Sequence, residues 1–369
     1  METIFSGPAA STIGALAITP EGQTSVVVDI GGTTTDLALI LSGKPLIASK
    51  GARLGDFLTH VRAFAVRSIA VGGDSIVRVK ETDSGLRTIS IGPERVGPAY
   101  CMGGKEPTPP TDALRVLRLV EVGDSQRANE AISSVASSLG KSVLETASLI
   151  VDITAEMIAQ AVREMFLEWE QEPAYRIWEV LQKKKERPEN VVGIGGGGAK
   201  GLIAGGVAEK LNAKPVIPSH SEVGNAIGAA VARPTLTLNL RIDTEQKVYS
   251  VAEDGEIASL KFTNIGNFNR MRSEEAETLA AKLLRDRAKR FGISEYVEEA
   301  EVVSSEVFNI VEGWLTVGRL FDVSMQIPAG LIPEWSRRGK GMKLGSGRLR
   351  MYSKAEPEKV LNPGEKNKK

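Results

Sequence analysis

The run Val26-Val27-Val28-Asp29-Ile30-Gly31-Gly32-Thr33-Thr34-Thr35-Asp36, continued by Leu37-Ala38-Leu39-Ile40-Leu41, constrains this chain more than any other stretch. Continuous β-branched apolar residues read as a buried strand. A Gly-Gly turn breaks the run, and a second apolar strand follows at once. The turn carries the elements of a phosphate site. Glycines let backbone N–H groups approach phosphate oxygens, Thr33, Thr34 and Thr35 add hydroxyl donors, and the Asp29 and Asp36 carboxylates can hold Mg²⁺ through water. The expectation is a chain that handles a nucleotide.

A second glycine loop stands at Gly193-Ile194-Gly195-Gly196-Gly197-Gly198, after Val191-Val192. Gly193, Gly195 and Gly198 fit the dinucleotide spacing. That fingerprint also needs an acid closing the next strand, about 20 residues on. The next strand ends at Pro218-Ser219, and Glu222 is already past it, so the Rossmann reading loses. Gly140-Lys141-Ser142 fails as a P-loop, because Val135 occupies the position where that motif needs glycine. Either remaining loop alone also reads as a structural turn. Together, with Asp29 and Asp36 flanking the first, they point to a nucleotide held between two strand ends.

Composition narrows the chemistry. The chain of 369 residues has room for two domains, or for one with insertions. Lys+Arg 46 balances Asp+Glu 46, so no global charge draws the chain to nucleic acid or membrane. A single cysteine, Cys101, excludes an internal disulfide framework and fits a reducing cytoplasm. Two histidines, His60 and His220, leave little for a zinc site. No apolar run approaches the roughly 18 residues of a membrane span. Cytoplasmic localisation is the expectation.

Patterning places the loops within a mixed α/β (α+β) chain. Residues 8–17, small and led by Pro8, read as a short helix that another backbone can approach closely. Strands at 24–29, 36–41 and 45–49 follow as a meander, and 76–80 with 86–91 alternate like a hairpin. Residues 111–187 become helical, with Thr154 as a cap, Pro173 as a stop and a second helix through Trp178 closing at Lys183-Lys184-Lys185. A helix through Leu211, a strand at 215–218 and a small-residue helix over 223–232 come next. From 233 the pattern is again α+β: strands at 235–251 and 257–263, a helix capped by Ser273, and strands from 300 to 328. The expected division is a nucleotide-binding lobe at 1–110 and 188–232, a helical insertion at 111–187, a C-terminal α+β region at 233–353 and a flexible tail at 354–369. Arg337, Arg338, Lys340, Lys343, Arg348 and Arg350 read as a solvated hairpin or an interface with another chain rather than a nucleic-acid site.

Pro8-Ala9-Ala10-Ser11 followed by 28–36 resembles the connecting helix and second phosphate loop of the actin, sugar-kinase and heat-shock-chaperone ATPase superfamily; 193–198 resembles its adenosine loop. More narrowly, Phe5-Ser6-Gly7-Pro8-Ala9-Ala10-Ser11, Arg67-Ser68-Ile69-Ala70-Val71-Gly72-Gly73-Asp74-Ser75, Thr111-Asp112-Ala113 and Asn225-Ala226-Ile227-Gly228-Ala229-Ala230 are similar to the ATP-binding component of the hydantoinase/oxoprolinase family. The resemblance covers about residues 4–330. It implies a ribonuclease-H-like ATPase lobe. Family members begin with another lobe carrying a first phosphate loop, and the single loop here matches the second. The expectation is therefore a half-site that a partner completes: the N-terminal lobe or an equivalent subunit. The resemblance also allows a second, different component of the same hydantoinase/oxoprolinase system, in a homo- or hetero-oligomer.

By resemblance, Gly31, Gly32, Thr33, Thr34 and Thr35 hold phosphates, Asp29 and Asp36 orient Mg²⁺, and Gly195, Gly196, Gly197 and Gly198 pass under the adenosine of ATP. Gly72, Gly73, Asp74 and Ser75 form the candidate inner loop, with Asp29, Asp36 and Asp74 the candidate catalytic residues. The sequence 72–75 reads equally as a bulge or tight turn. Asp112 reads as a helix N-cap rather than a catalytic group. Cys101 reads as a small buried residue. The family uses ATP to phosphorylate a carbonyl or enolate oxygen, activating a hydantoin or lactam for ring-opening hydrolysis. Two other readings stay open: a component of a ketone carboxylase, and a non-catalytic ATP-binding module or chaperone-like reactivase.

Overall fold

The computed structural model describes residues 6–19, 22–48, 53–54, 57–58, 63–81, 85, 87–106, 109–171, 186–260, 271–333 and 335. The chain divides into a compact unit over Met1–Ile332 and a second over Pro333–Lys369. All elements below belong to the first. The expected helix through Trp178, His60, the basic cluster at 337–350 and the tail lie outside the described residues.

The first apolar run folds as β1 (Ser25–Ile30), the glycine turn, and β2 (Thr35–Leu41), antiparallel with Val28 opposite Leu37 and Asp29 opposite Asp36. β3 (Val66–Ile69) pairs with the start of β2. The strand expected at 45–49 shrinks to Lys44–Pro45 on the far end of β2; Leu46 N–H still donates to Leu39 O at 2.9 Å, and Ile47 then turns to bridge Phe64. β4 (Ser75–Glu81) and β5 (Arg87–Arg95) form the expected hairpin apart from this sheet. On the other side of β1 lies β6 (Asn190–Ile194), parallel to it, and then β7 (Lys214–Val216), parallel to β6. The order β3-β2-β1-β6-β7 is that of a ribonuclease-H-like sheet.

Alternate side chains of β1 serve two helical layers. Val26, Val28 and Ile30 join a core with α2 (Pro110–Val116), α3 (Ser125–Leu139), α4 (Val143–Glu170) and α5 (Gly197–Leu202), which runs on through a π-turn at Ile203–Val207. Val27 faces the other way, with Ala38, Ile40, Val192 and Ala15 of α1 (Ser6–Ile18). That layer is completed by α6 (Gly224–Val231). α1 and α6 cross backbone to backbone. A Cβ on Gly14 would lie 2.0 Å from the Gly224 carbonyl oxygen, and one on Gly228 would lie 1.8 Å from that of Ala10. No other residue fits at either position.

Helix α4 starts earlier than expected. Ser142 is its N-cap, in a capping box with Glu145, whereas Thr154 lies within the helix and donates to the Ile150 carbonyl at 2.7 Å. Beyond residue 233, β8 (Leu236–Asp243), β9 (Val248–Val251), β10 (Glu256–Ser259), β11 (Glu301–Glu312) and β12 (Leu315–Ile327) form an antiparallel sheet ordered β10-β9-β8-β12-β11. Ala276, Ala280, Leu284 and Ala288 of α7 (Ser273–Arg290) form one helical stripe that packs with Leu238, Leu240, Phe321 and Val323 as a second core. Arg272, not Ser273, is the N-cap residue; its backbone N–H donates to Glu275 at 2.9 Å. No helix among the described residues is long and apolar enough to cross a membrane.

Candidate functional site

The parallel pairing of β1 and β6 sets Val28 beside Gly193 and Asp29 beside Ile194, so the chain leaves both strands at one edge of the sheet. The turn at 31–34 is closed by the Gly31 N–H donating to the Thr34 carbonyl at 2.9 Å. Gly31, Thr33 and Thr34 are exposed and Gly32 is half-buried. The loop at 72–75 docks directly on this turn. Gly73 N–H donates to Gly31 O at 2.9 Å, and Asp74 N–H to Gly32 O at 2.8 Å. A Cβ on Gly72 would lie 2.5 Å from the Gly32 carbonyl oxygen, which is why glycine stands there.

Thr35 and Ser75 are spent inside these loops. Both are fully buried. The Thr35 hydroxyl donates to Val71 O at 2.7 Å, and the Ser75 hydroxyl accepts from Gly72 N–H at 2.8 Å. Neither hydroxyl opens onto the surface, as a phosphate-binding donor would; each fixes the shape of its loop instead. Residues 72–75 thus form a tight turn and a wall of the site at once.

Asp29 and Asp36 face each other across the strand pair, both half-buried. The Ser11 hydroxyl of α1 donates to Asp29. Burial pushes the Asp29 carboxyl above the ordinary aspartate range; the Ser11 bond opposes this, and Asp36 adds to it. Gly195, at φ +105°, brings the second glycine loop against Asp29: a Cβ there would sit 3.1 Å from Asp29 Oδ1. Its N–H donates to Ser221 O at 3.0 Å. Gly196 is exposed, while Gly197 and Gly198 enter α5.

Three groups complete the wall. The Arg95 guanidinium donates to Asp74 Oδ2 at 2.8 Å and to Thr33 Oγ1 at 3.1 Å, so it spans both loops. Asp74 Oδ1 accepts from Ala99 N–H at 3.0 Å. Thr111, in the first turn of α2, donates through both N–H and hydroxyl to Gly73 O, at 3.0 and 2.8 Å. Asp112 does not cap α2, whose N-cap is Pro109; it is fully buried and accepts from the N–H groups of Tyr100 and Cys101 at 3.2 and 2.7 Å. Burial raises its carboxyl, and burial beside Asp112 pushes the Cys101 thiol up to about 12, which leaves it inert as a nucleophile. His220, exposed at φ +65°, stays clear of these loops' hydrogen bonds. Arg95 carries no motif. Only the folded hairpin register, Ser75 opposite Arg95 across a bulge, brings it to the loops.

Among the described residues, no three His, Cys, Asp or Glu side chains converge on one point. The Asp29–Asp36 pair suits Mg²⁺ held through water, because that ion commonly keeps several waters and takes one or two carboxylates with phosphates. A profile of the hydantoinase/oxoprolinase family matches residues 1–237. The chain belongs to that family. A stretch of 178 residues, 44% of the chain and 24% of the relative, is 30% identical to the acetophenone carboxylase gamma subunit of Aromatoleum aromaticum. A nucleotide-free acetone carboxylase structure superposes with a TM-score of 0.57 over 90% of this chain and 50% of that one, at 18% identity. An ATP-dependent caprolactamase from Pseudomonas jessenii gives 0.48 at 19% identity, over 87% and 48% of the two chains. This hydantoinase/oxoprolinase chain therefore spans a quarter to a half of these relatives' lengths, and its fold is that of the actin-like ATPases.

Proposed function

We propose that the chain binds Mg-ATP on the loops at 31–34 and 193–198, as part of an enzyme that activates a cyclic amide by phosphorylation. The observation that carries this reading is the meeting of both glycine loops at the Asp29 carboxylate, at one edge of the sheet. The exposed backbone of 31–34 with the Thr33 and Thr34 hydroxyls would hold the β- and γ-phosphates. Asp29 and Asp36 would hold Mg²⁺ through water, and Gly195, Gly196 and Gly197 would pass under the adenosine. Bound Mg²⁺ would supply charge neutralisation on the transferring phosphoryl group. Phosphoryl transfer asks the protein for positioning and fixed charge, which interlocked loops provide.

The test is thermal melting with and without millimolar Mg-ATP. Ligand at about 100 times its dissociation constant stabilises by roughly 2.7 kcal/mol, a shift of several degrees. The expected result is such a shift in the wild type and none in Asp29→Asn. No shift in the wild type would mean that the loops need another lobe or subunit to bind, the half-site expected from the resemblance. ATP hydrolysis stimulated by hydantoin or 5-oxoproline would support the amide reading. The similarity to the gamma subunit of acetophenone carboxylase favours a second reading, a ketone carboxylase component, which stimulation by acetophenone with bicarbonate would select. Nucleotide binding without stimulation by any of these would favour a conformational module.

A further inference from the structure

Arg95, the last residue of β5, is a cation held against the 31–34 turn from several sides. Its guanidinium donates to Thr33 Oγ1 at 3.1 Å, to Asp74 Oδ2 at 2.8 Å and, through Nε, to Gly97 O at 3.3 Å. Asp74 is a fixed anchor for it: the Asp74 N–H is tied to Gly32 O, and Oδ1 takes the Ala99 N–H. The Asp74 side chain is 15% exposed and that of Arg95 40%, so the anchor is covered while the guanidinium meets solvent. A Cβ on Gly32 would lie 3.3 Å from Arg95 Nη2, which sets the charge against the backbone that offers itself to phosphate.

The Thr33 bond has a direction. A hydroxyl has one hydrogen to give, and by accepting from Arg95 the Thr33 oxygen keeps that hydrogen for another partner. It thus stands as a donor, the polarity an anion needs. An ion pair this exposed adds little to folding stability, so the arrangement suits an anionic ligand better than it suits holding the fold. Without Arg95, the Asp74 carboxylate would face a phosphate on the turn as an uncompensated like charge. The side of approach selects which phosphate. The second glycine loop leaves β6, on one side of the β1–β2 pair, and the 72–75 loop with Arg95 follows β3, on the other. A nucleotide with its adenosine over the former directs its terminal phosphate toward Arg95.

We propose that Arg95 holds the terminal phosphate of ATP and makes this chain favour ATP over ADP. The proposal rests on the Mg-ATP reading and adds to it the residue that tells the two nucleotides apart. A guanidinium suits the task, with a planar fork of five N–H donors and a charge that stays at any working pH.

Isothermal titration calorimetry of the full chain tests it, with Mg²⁺ and either ADP or β,γ-imido-ATP, which resists hydrolysis. Charge-assisted hydrogen bonds to phosphate are among the stronger polar contacts, and losing one changes affinity by about tenfold or more. Arg95→Gln should therefore lower the ratio of triphosphate to diphosphate affinity by about tenfold, while the ADP affinity stays within about twofold. Arg95→Met, neutral and flexible, should do the same, and serves alone if the Gln variant fails to fold by circular dichroism. An equal loss for both nucleotides would make Arg95 a clamp between the loops and overturn the proposal. An unchanged ratio would overturn it too. If the wild type binds neither nucleotide, the Mg-ATP reading fails and the proposal with it, a result distinct from binding with an unchanged ratio.

Discussion

Asp29 is held half-buried, opposite another aspartate, with one hydroxyl as its hydrogen-bond donor. Its carboxyl lies above the ordinary value of 3.8, chiefly through burial. The folded state therefore holds the Asp29 proton more tightly than the unfolded state. Stability from this group is complete below the ordinary aspartate range and is lost as pH rises through the raised folded value. Asp29→Asn removes that pH-dependent loss. The variant should melt higher than wild type at pH 7 without nucleotide, and the gap should close as pH falls into the ordinary aspartate range. A gap that is constant with pH would show that the strain is not electrostatic. Asp112, also raised by burial, is a carboxylate that organises backbone. Asp112→Ala strands the Tyr100 and Cys101 N–H groups and should cost about 2 kcal/mol or more in denaturant unfolding. Asp112→Asn, which keeps an acceptor, should cost less. The two glycine loops and the carboxylates beside them are legible in sequence because a turn after an apolar strand needs those residue types locally. Arg95, Thr111 and the hydroxyl of Ser11 are not, since each acts across a long sequence interval that only the folded register closes.

At the scale of elements, the strand–turn–strand and the small-residue helices are legible for the same reason: their constraints are local. Thr35 and Ser75 show the limit. Their residue type suits a phosphate loop, yet burial directs both hydroxyls inward to backbone groups. The start of α4 shows another: Thr154 has a capping residue's chemistry, but the Ser142–Glu145 pair meets the capping box and takes the position. The α1–α6 crossing gives a sharp prediction. Gly228→Ala sets a methyl where the Ala10 carbonyl oxygen stands, with no flexible side chain to move aside. Overpacking of this kind usually costs about 1–3 kcal/mol. With backbone on both sides, the loss by chemical denaturation should reach the upper end of that range. Gly7→Ala, on α1 with open space around its Cβ, should cost little.

Among the described residues, the two largest cores lie in one compact unit. The first lies between one face of the six-strand sheet and α2–α5; the second lies under β8–β12 and α7. Their residues are disjoint, so damage to one should stay there. Leu284→Ala, at a fully buried position in the second core, should cost about 2–5 kcal/mol. Amide hydrogen exchange should then rise in β8 and β12 while β1 and β2 keep their protection. Uniform acceleration throughout would mean that the two cores unfold as one. The alternating apolar strands beyond residue 233 announce a sheet in the sequence. Their order is not legible, because pairing between strands far apart in the chain depends on which faces α7 can cover.

The contact between α1 and α6 has a mechanical meaning. Between most packed helices interlocked side chains intervene, and a rotamer change can absorb a small displacement. Here glycine meets carbonyl with nothing between them. Ser11 on α1 holds Asp29, and α6 starts three residues after Ser221, whose carbonyl takes the Gly195 N–H. Movement of either helix has no cushion to take it up. The carboxylate and the second glycine loop are thus coupled as stiffly as two parts of one bracket.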